Sequence, residues 1–413
     1  MLLNYLKLAW KVLQRRKFFT FVSLFGISLT LVVLMVATAI LDHVFAPHPP
    51  ESRLDRTLGI YLIALQGDES RRTGFPGYGF LDRHARDLPG VERTSFYALQ
   101  QQAVSYVDGH KVTSWLKRTD GEFWRILDFR FLEGGPFTDH DEANRNFVAV
   151  INQTTRQRFF GGGPALGRTF EIDAQRFRVV GVVEDVPFLR ITPFADVWVP
   201  ISTLKSSGYR REFTGGFQAL LLAESRAALP LVREGFAERV ARAEYHDPRV
   251  FHTIRSGAET LFEAFSRSFF SSGWSEARPG MLRGFLLGAA VLFMVLPAVN
   301  LVNLNLSRIL ERTSEIGVRK AFGGSVWTLV GQFLIENVIL TLIGGVIGLA
   351  LAAGVLAALE ASGLIPYAEL GLNLRIFAAG LALALFFGLL SGVYPAWRMA
   401  RLHPVEALRG RSL

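Results

Sequence analysis

The 413-residue chain contains no cysteine. Disulfides, thiol catalysis and cysteine-based zinc or iron–sulfur sites are therefore excluded. Other chemical motifs are missing too. "GGGPALG" (161–167) is glycine-rich but lacks the Gly-Lys-Ser/Thr that grips phosphate and magnesium, so it reads as a turn. The histidines form no HExxH or comparable ligand pair, and no GxSxG elbow occurs. "TDHDEAN" (138–144) gathers acids around His140, and a surface loop is a simpler reading than a metal site. No catalytic, cofactor-binding or metal residues are assigned, and the chain does not read as an enzyme. Charge is also scarce, and over four long stretches it is absent.

Those stretches are residues 18–41, 284–306, 338–359 and 376–397. Each is long enough for the roughly 20 apolar residues that a helix needs to cross a bilayer core. Half of all residues are hydrophobic. The first run is longer than the roughly 7–15 residues of a signal-peptide core, so it reads as an uncleaved anchor. The fold class that follows is four transmembrane α-helices plus a large α+β periplasmic domain inserted between helices 1 and 2.

Basic residues set the orientation. Lys7, Lys11, Arg15, Arg16 and Lys17 precede the first run. Arg308, Arg312, Arg319 and Lys320 lie between the second and third, and Arg398, Arg401, Arg409 and Arg411 follow the fourth. The positive-inside rule places both termini and the 307–325 loop in the cytoplasm. Residues 42–280 and the short link 360–375 then lie outside. The net charge of +9 is mostly this topology signal. Nucleic-acid binding is not expected, because the basic residues flank spans instead of lining one soluble face. An external segment of this size holds a core without crosslinks.

Residues 1–17 place Leu2, Leu3, Leu6, Trp10 and Leu13 at helical spacing, with bases between them. They read as an interfacial amphipathic helix, or as an extension of the first span. In the external segment, "NFVAVIN", "RFRVVGVVED", "DVWVPI" and "QALLLA" read as strands. Leu229, Val232, Phe236 and Val240 share one helical face, and a second helix is predicted over 258–270. The domain reads as α+β, in one lobe or two.

The spans carry some polar and small residues. Asn300, Asn303 and Asn305 crowd one end of the second; they either bond between helices or sit at headgroup level. Glu336 and Asn337 lie early in the third span (326–359), where Glu336 reaches the interface or pairs with a base. Gly344, Gly345, Gly348 and Gly354 follow, at spacings that let helix backbones approach closely.

"SEIGVRKAFGGS" (314–325) breaks the apolar pattern. Thr313 or Ser314 can cap a short helix there. Glu315 falls in its first turn, and Arg319 and Lys320 fall in its last, the order that complements the helix dipole. Glu315 and Arg319 are four apart, and Gly323 and Gly324 can end the helix. It is either a solvated loop helix or a docking element for a separate protein.

The sequence resembles the MacB/FtsX-type permeases of ABC transporters. The family's basic "EIGxRKAxGA" segment, its "QFLIE" and its glycine-rich span read here as "SEIGVRKAFGGS", "QFLIEN" and "LIGGVIGL". "VNLVNLNLSR" (299–308) and "YPAWRMARLHPVEALR" (394–409) look like the family's segments. So do "FLEGGPFTDHD" (131–141) and residues 148–187 in the external part.

The resemblance implies a permease that dimerises, as a homo- or heterodimer, and pairs with an ABC ATPase. In MacB the ATPase is fused at the N-terminus. No such stretch precedes residue 1 here, so a separate ATPase subunit, binding the ATP and magnesium, is expected. Glu311, Arg312, Glu315, Ile316, Arg319, Lys320 and Phe322 are the implied docking residues, joined by Pro404 and Glu406. Such a permease relays ATP-driven motion to its periplasmic domain (mechanotransmission) from the bacterial inner membrane. Export of a peptide, antibiotic or other periplasmic substrate is the leading expectation, with a periplasmic adaptor and a TolC-like outer-membrane channel as further partners. The alternatives are an FtsX-like regulator of cell-wall hydrolases and a lipoprotein-extraction permease.

Overall fold

Residues 17–107, 109–271, 275–311 and 326–400 are described by a computed structural model. They form two compact units. One comprises His43–Leu282 together with Ile365–Glu369, and the other holds most of the long apolar helices.

Helix α1 (Lys17–Phe45) comes first, followed by the strands β1 (Thr57–Ile60), β2 (Ile63–Gln66) and β3 (Arg71–Pro76). Next are α2 (Tyr78–His84), β4 (Val91–Ala98), β5 (Gln101–Val107), β6 (His110–Thr119) and α3 (Glu122–Ile126). Then come β7 (Phe131–Gly134), α4 (Asp139–Ala143), β8 (Val148–Asn152), α5 (Gln153–Phe160), β9 (Thr169–Ile172) and β10 (Gln175–Val183). The unit closes with β11 (Val197–Pro200), β12 (Thr214–Gly215), β13 (Phe217–Ala223), α6 (Leu229–Ala241), β14 (Thr253–Ser256) and α7 (Leu261–Phe270).

A ten-stranded sheet runs β1-β13-β4-β6-β11-β8-β10-β7, with β5 beside β6 and β9 beside β10. The β10–β8 and β11–β6 pairs are parallel, and the others are antiparallel. A second sheet runs β12-β3-β2-β14. Strand β13 shows why the large sheet reads as an unbroken apolar run. All of "FQALLLA" is buried, because both faces are covered. Ala219, Leu221 and Ala223 join one core with Phe80, Val232 and Phe236, while Leu220 and Leu222 join another with Trp124, Phe137 and Trp198. A third core gathers Ile151, Phe177, Val179 and Val199.

The expected helical face of α6 buries Val232, Phe236 and Val240. Helix α7 starts later than predicted. Thr260 is its N-cap, and Glu263 reaches back to the Thr260 N–H at 2.8 Å. Glu259, placed inside the predicted helix, instead bridges Gly59. The segment 138–144 is not the expected loop. It holds α4, whose Thr138 and Asp141 form a capping box. Glycine-rich 161–167 is a turn region; Gly161, at φ +64°, ends α5 in the left-handed conformation.

The other unit combines α1 with α8 (Pro279–Glu311), α9 (Val326–Ser362) and α10 (Leu374–Ala400). Among the described residues, two helical stretches are long and apolar enough to cross a membrane: Thr20–Phe45 and Leu334–Ser362. The corresponding stretches of α8 and α10, Pro279–Val295 and Leu374–Leu390, are shorter. Residues 1–16, 312–325 and 401–413, with the expected interfacial helix, coupling helix and tail, lie outside the described residues.

Candidate functional site: a packed helix seam and an anchored strap

Helix α9 meets α1 along its glycines. A Cβ on Gly344 would lie 2.8 Å from Ile27 Cγ2, and one on Gly348 would lie 3.1 Å from Leu31 Cβ. Only glycine allows that approach without displacing α1. At the same place the Ser28 hydroxyl donates to the Gly344 carbonyl at 2.9 Å. Gly345 faces α10 instead, where its Cβ would meet Leu381 Cδ1 at 2.7 Å. One turn back, Asn337 Nδ2 donates to the Gly388 carbonyl of α10 at 3.2 Å, and Thr341 donates to the Asn337 carbonyl at 2.9 Å. Ile27, Leu31 and Met294 fill the space between the helices.

Of the sequence-predicted packing residues, Gly344 and Gly348 therefore face α1, and Gly345 faces α10. Glu336 is buried beside Asn337. The side chains of Asn300 and Asn303 lie outside the described residues. So does every docking side chain: Glu311, where only the helical backbone is described, and Arg312, Glu315, Ile316, Arg319, Lys320, Phe322, Pro404 and Glu406. Sequence reasoning passed over Ser28, Gly380 and Gly388. A hydroxyl in an uncharged run must find a partner in lipid, and that was the available signal for Ser28.

The external unit has its own anchored element, the loop 184–196 between β10 and β11. Its hydrophobic residues cannot leave backbone groups unmet once buried, so polar side chains from several strands enter it. Lys117 of β6 is fully buried and donates to the carbonyls of Ile191 and Thr192. Burial pulls its amine down to about 7, and the carboxylate of Glu51 opposes that shift. Arg190 is buried too, with Nη1 3.0 Å from Glu51 Oε2. Burial raises the Glu51 carboxyl despite this partner.

Asp196 ends the loop. Its carboxylate accepts from the Trp115 N–H at 2.8 Å and from Asn152 Nδ2 at 3.2 Å. It also accepts from the Tyr367 hydroxyl at 2.8 Å. Tyr367 belongs to the strap Ile365–Glu369, which links α9 to α10 and is part of the external unit. The Phe188 N–H donates to the Pro366 carbonyl at 3.0 Å, so both backbone and side chain hold the strap. Tyr367 sits at φ +56°, a conformation that a tyrosine adopts only when its surroundings impose it. Burial, and then the Asp196 charge, raise the tyrosine pKa.

Nothing in this unit is arranged for bond-making chemistry. Among the described residues, no three His, Cys, Asp or Glu are grouped to hold a metal. Asp120, pushed up to about 6 by burial, accepts from the Phe96 and Phe123 N–H groups and ties β4 to α3. Glu142, pushed up to about 7 by burial, accepts from the Ser202 N–H. Both hold backbone. An open cleft of about 450 Å³ lies between Leu99, Arg118, Lys205, Tyr209 and Phe217, with Arg118 Nη2 2.8 Å from Asp173 Oδ2.

Comparison with known proteins fits both units. Residues 20–239 match the MacB-like periplasmic core domain, and residues 287–404 match the FtsX-like permease C-terminal domain. The chain is 29% identical over 350 residues to the macrolide export ATP-binding/permease protein MacB of Pasteurella multocida, covering 81% of this chain and 51% of that protein. It is 24% identical over 337 residues to the uncharacterized ABC transporter permease YknZ of Bacillus subtilis, covering 80% and 79%. A third relative is the pyoverdine export ATP-binding/permease protein PvdT of Pseudomonas syringae, 26% identical over 413 residues, covering 98% and 59%. The chain thus spans about half the length of the MacB relative. With a MacB-like periplasmic core over more than half its length and an FtsX-like domain after it, the chain belongs to the MacB/FtsX-type permease family of ABC transporters.

Proposed function

We propose that this chain is the permease subunit of a MacB-like ABC transporter, relaying the ATP-driven motion of a separate ATPase to its periplasmic domain. In this reading four helices span the inner membrane, with both termini cytoplasmic and residues 42–280 periplasmic. Two permease protomers pair. Residues 311–322 dock on the ATPase, with Glu311, Arg312, Glu315, Arg319 and Lys320 making polar contacts and Ile316 and Phe322 packing. Pro404 and Glu406 join them. Export of a peptide, antibiotic or other periplasmic substrate, through an adaptor and a TolC-like channel, is the output.

One observation carries the reading. The link between α9 and α10 does not simply turn around; its residues 365–369 are built into the external unit through Tyr367–Asp196 and Phe188–Pro366. The chain therefore crosses between its two units at this strap as well as at 42–43 and 282–283. Linkages of that kind suit a lever better than a pathway through the helices. The separate ATPase finds support in YknZ, which is named a permease alone and is covered to 79%.

Hydrogen exchange tests the relay. In the complex with ATPase, trapping ATP should change protection of the 184–196 loop relative to the nucleotide-free state. Identical protection in both states would contradict the proposal. Orientation has its own test, since the cysteine-free chain accepts single labels. A membrane-impermeant maleimide should leave Ser325→Cys unlabelled in intact cells, and labelling would reverse the topology.

A further inference from the structure

Helix α7 has its amphipathicity turned inside out. Its polar residues face the protein. Arg267 is 2% exposed and bonded to Glu259, with Nη1 2.8 Å from Oε1 and Nη2 2.7 Å from Oε2. Ser266 is 0% exposed, donates to the Glu263 carbonyl and accepts from the Arg278 N–H at 3.1 Å. Glu263 takes both guanidinium nitrogens of Arg233, at 3.0 and 2.7 Å. The outward face is aromatic: Phe265, Phe269 and Phe270 are 44, 49 and 37% exposed.

A helix of a water-soluble surface buries its apolar stripe and shows its charges. Here ion pairs and a capping box fix the opposite rotation. Contiguous exposed aromatics of this kind mark a surface that meets something apolar. The identity of that medium follows from continuity along the chain. Phe45, the last residue of the membrane-length helix α1, packs edge-on against Phe262 and Phe265, with ring centroids 5.1 and 5.4 Å apart. On the other side, α7 is followed within a few residues by exposed Arg278 and then by α8, whose early residue Met281 is 50% exposed. A short helix with an aromatic face, joined at one end to a membrane-length helix and followed by a cation, matches the headgroup–acyl boundary of a bilayer.

We propose that the Phe265–Phe269–Phe270 face of α7 lies in the outer boundary layer of the membrane, as an interfacial anchor for the external unit. The ion pairs with Glu259 and Arg233 hold the helix in the rotation that presents its rings to lipid. Arg278 supplies a cation to lipid phosphate.

The test uses the full chain in vesicles of phosphatidylethanolamine and phosphatidylglycerol. Nitroxide labels are placed singly at Phe269→Cys and Phe270→Cys, and at Glu234→Cys on the exposed side of α6 as reference. Collision rates with oxygen, which partitions into lipid, are compared with those of a water-soluble nickel chelate. At 269 and 270 oxygen collisions should exceed nickel collisions several-fold, with the ratio reversed at 234. A nickel-accessible label at both positions, as at 234, would overturn the proposal by placing the face in water. Dipolar coupling between labels, with both reagents excluded, would overturn it in favour of contact between two copies. Because both positions are exposed, one variant suffices if the other fails to fold.

Discussion

Lys117 is the residue on which the external unit depends most. It has no carboxylate bonded to it; two loop carbonyls hold its amine, and Glu51 contributes only through charge. Its folded pKa, about 7, lies below the model value of 10.5. Between those values the unfolded chain binds more protons at this site than the folded one, so stability rises with pH across that window. The penalty for burying the cation is fully present below the folded value. We expect Lys117→Met to remove this rise, which is at most about 1.4 kcal/mol per pH unit. Denaturant titrations of both proteins between neutral and alkaline pH measure the difference. The same substitution leaves two buried carbonyls unmet and should lower stability by about 1–3 kcal/mol at alkaline pH. Equal slopes in the two proteins would mean that Lys117 titrates as if in water. No periodicity in "HKVTSWLKRT" marks this lysine as buried. What buries it, the loop 184–196, reaches β6 from far along the chain.

At the scale of elements, the seam between α1 and α9 rests on two glycines and one hydroxyl. Gly344→Leu should force the helices apart and cost about 1–3 kcal/mol, as overpacking does. Gly354→Ala, where nothing lies within 4 Å, should be tolerated. Thermal unfolding in detergent distinguishes them, and equal midpoints would remove the seam from the account. The strap is tested by Tyr367→Phe, which deletes the hydroxyl that Asp196 accepts. We expect about 1 kcal/mol of local destabilisation, seen as faster hydrogen exchange in 184–196 with the global midpoint little changed. Legibility differed among these elements for physical reasons. Strands β8, β10, β11 and β13 were readable because both sheet faces are covered, so their residues form plain apolar runs. Strands β3 and β5 were not, since exposed positions break the pattern: "RRTGFP" and "QQAVSYV" look like loop. Helix α4 was missed although Thr138 and Asp141 stand at capping spacing, because five residues are too few for helical periodicity to show. Among the long glycines, spacing pointed to close packing but not to which helix each one meets. That choice depends on side chains such as Ile27 and Leu381, which only the fold brings near.

For the whole molecule, the account joins a membrane-embedded helix unit to a periplasmic sheet domain and makes their covalent linkages the means of transmission. The family assignment was legible because its motifs are dense and ordered along the chain. The strap was not, since "IPYAEL" has no feature of composition that ties it to Asp196. The central claim is that motion begins at a cytoplasmic helix gripped by an ATPase. The most direct measurement is co-purification and ATP turnover of the reconstituted complex with Ile316→Asp and with Arg319→Glu. Each substitution should release the ATPase or lower turnover, on the order of tenfold for a loss of about 1.4 kcal/mol at the contact. Unchanged assembly and turnover in both variants would contradict the account.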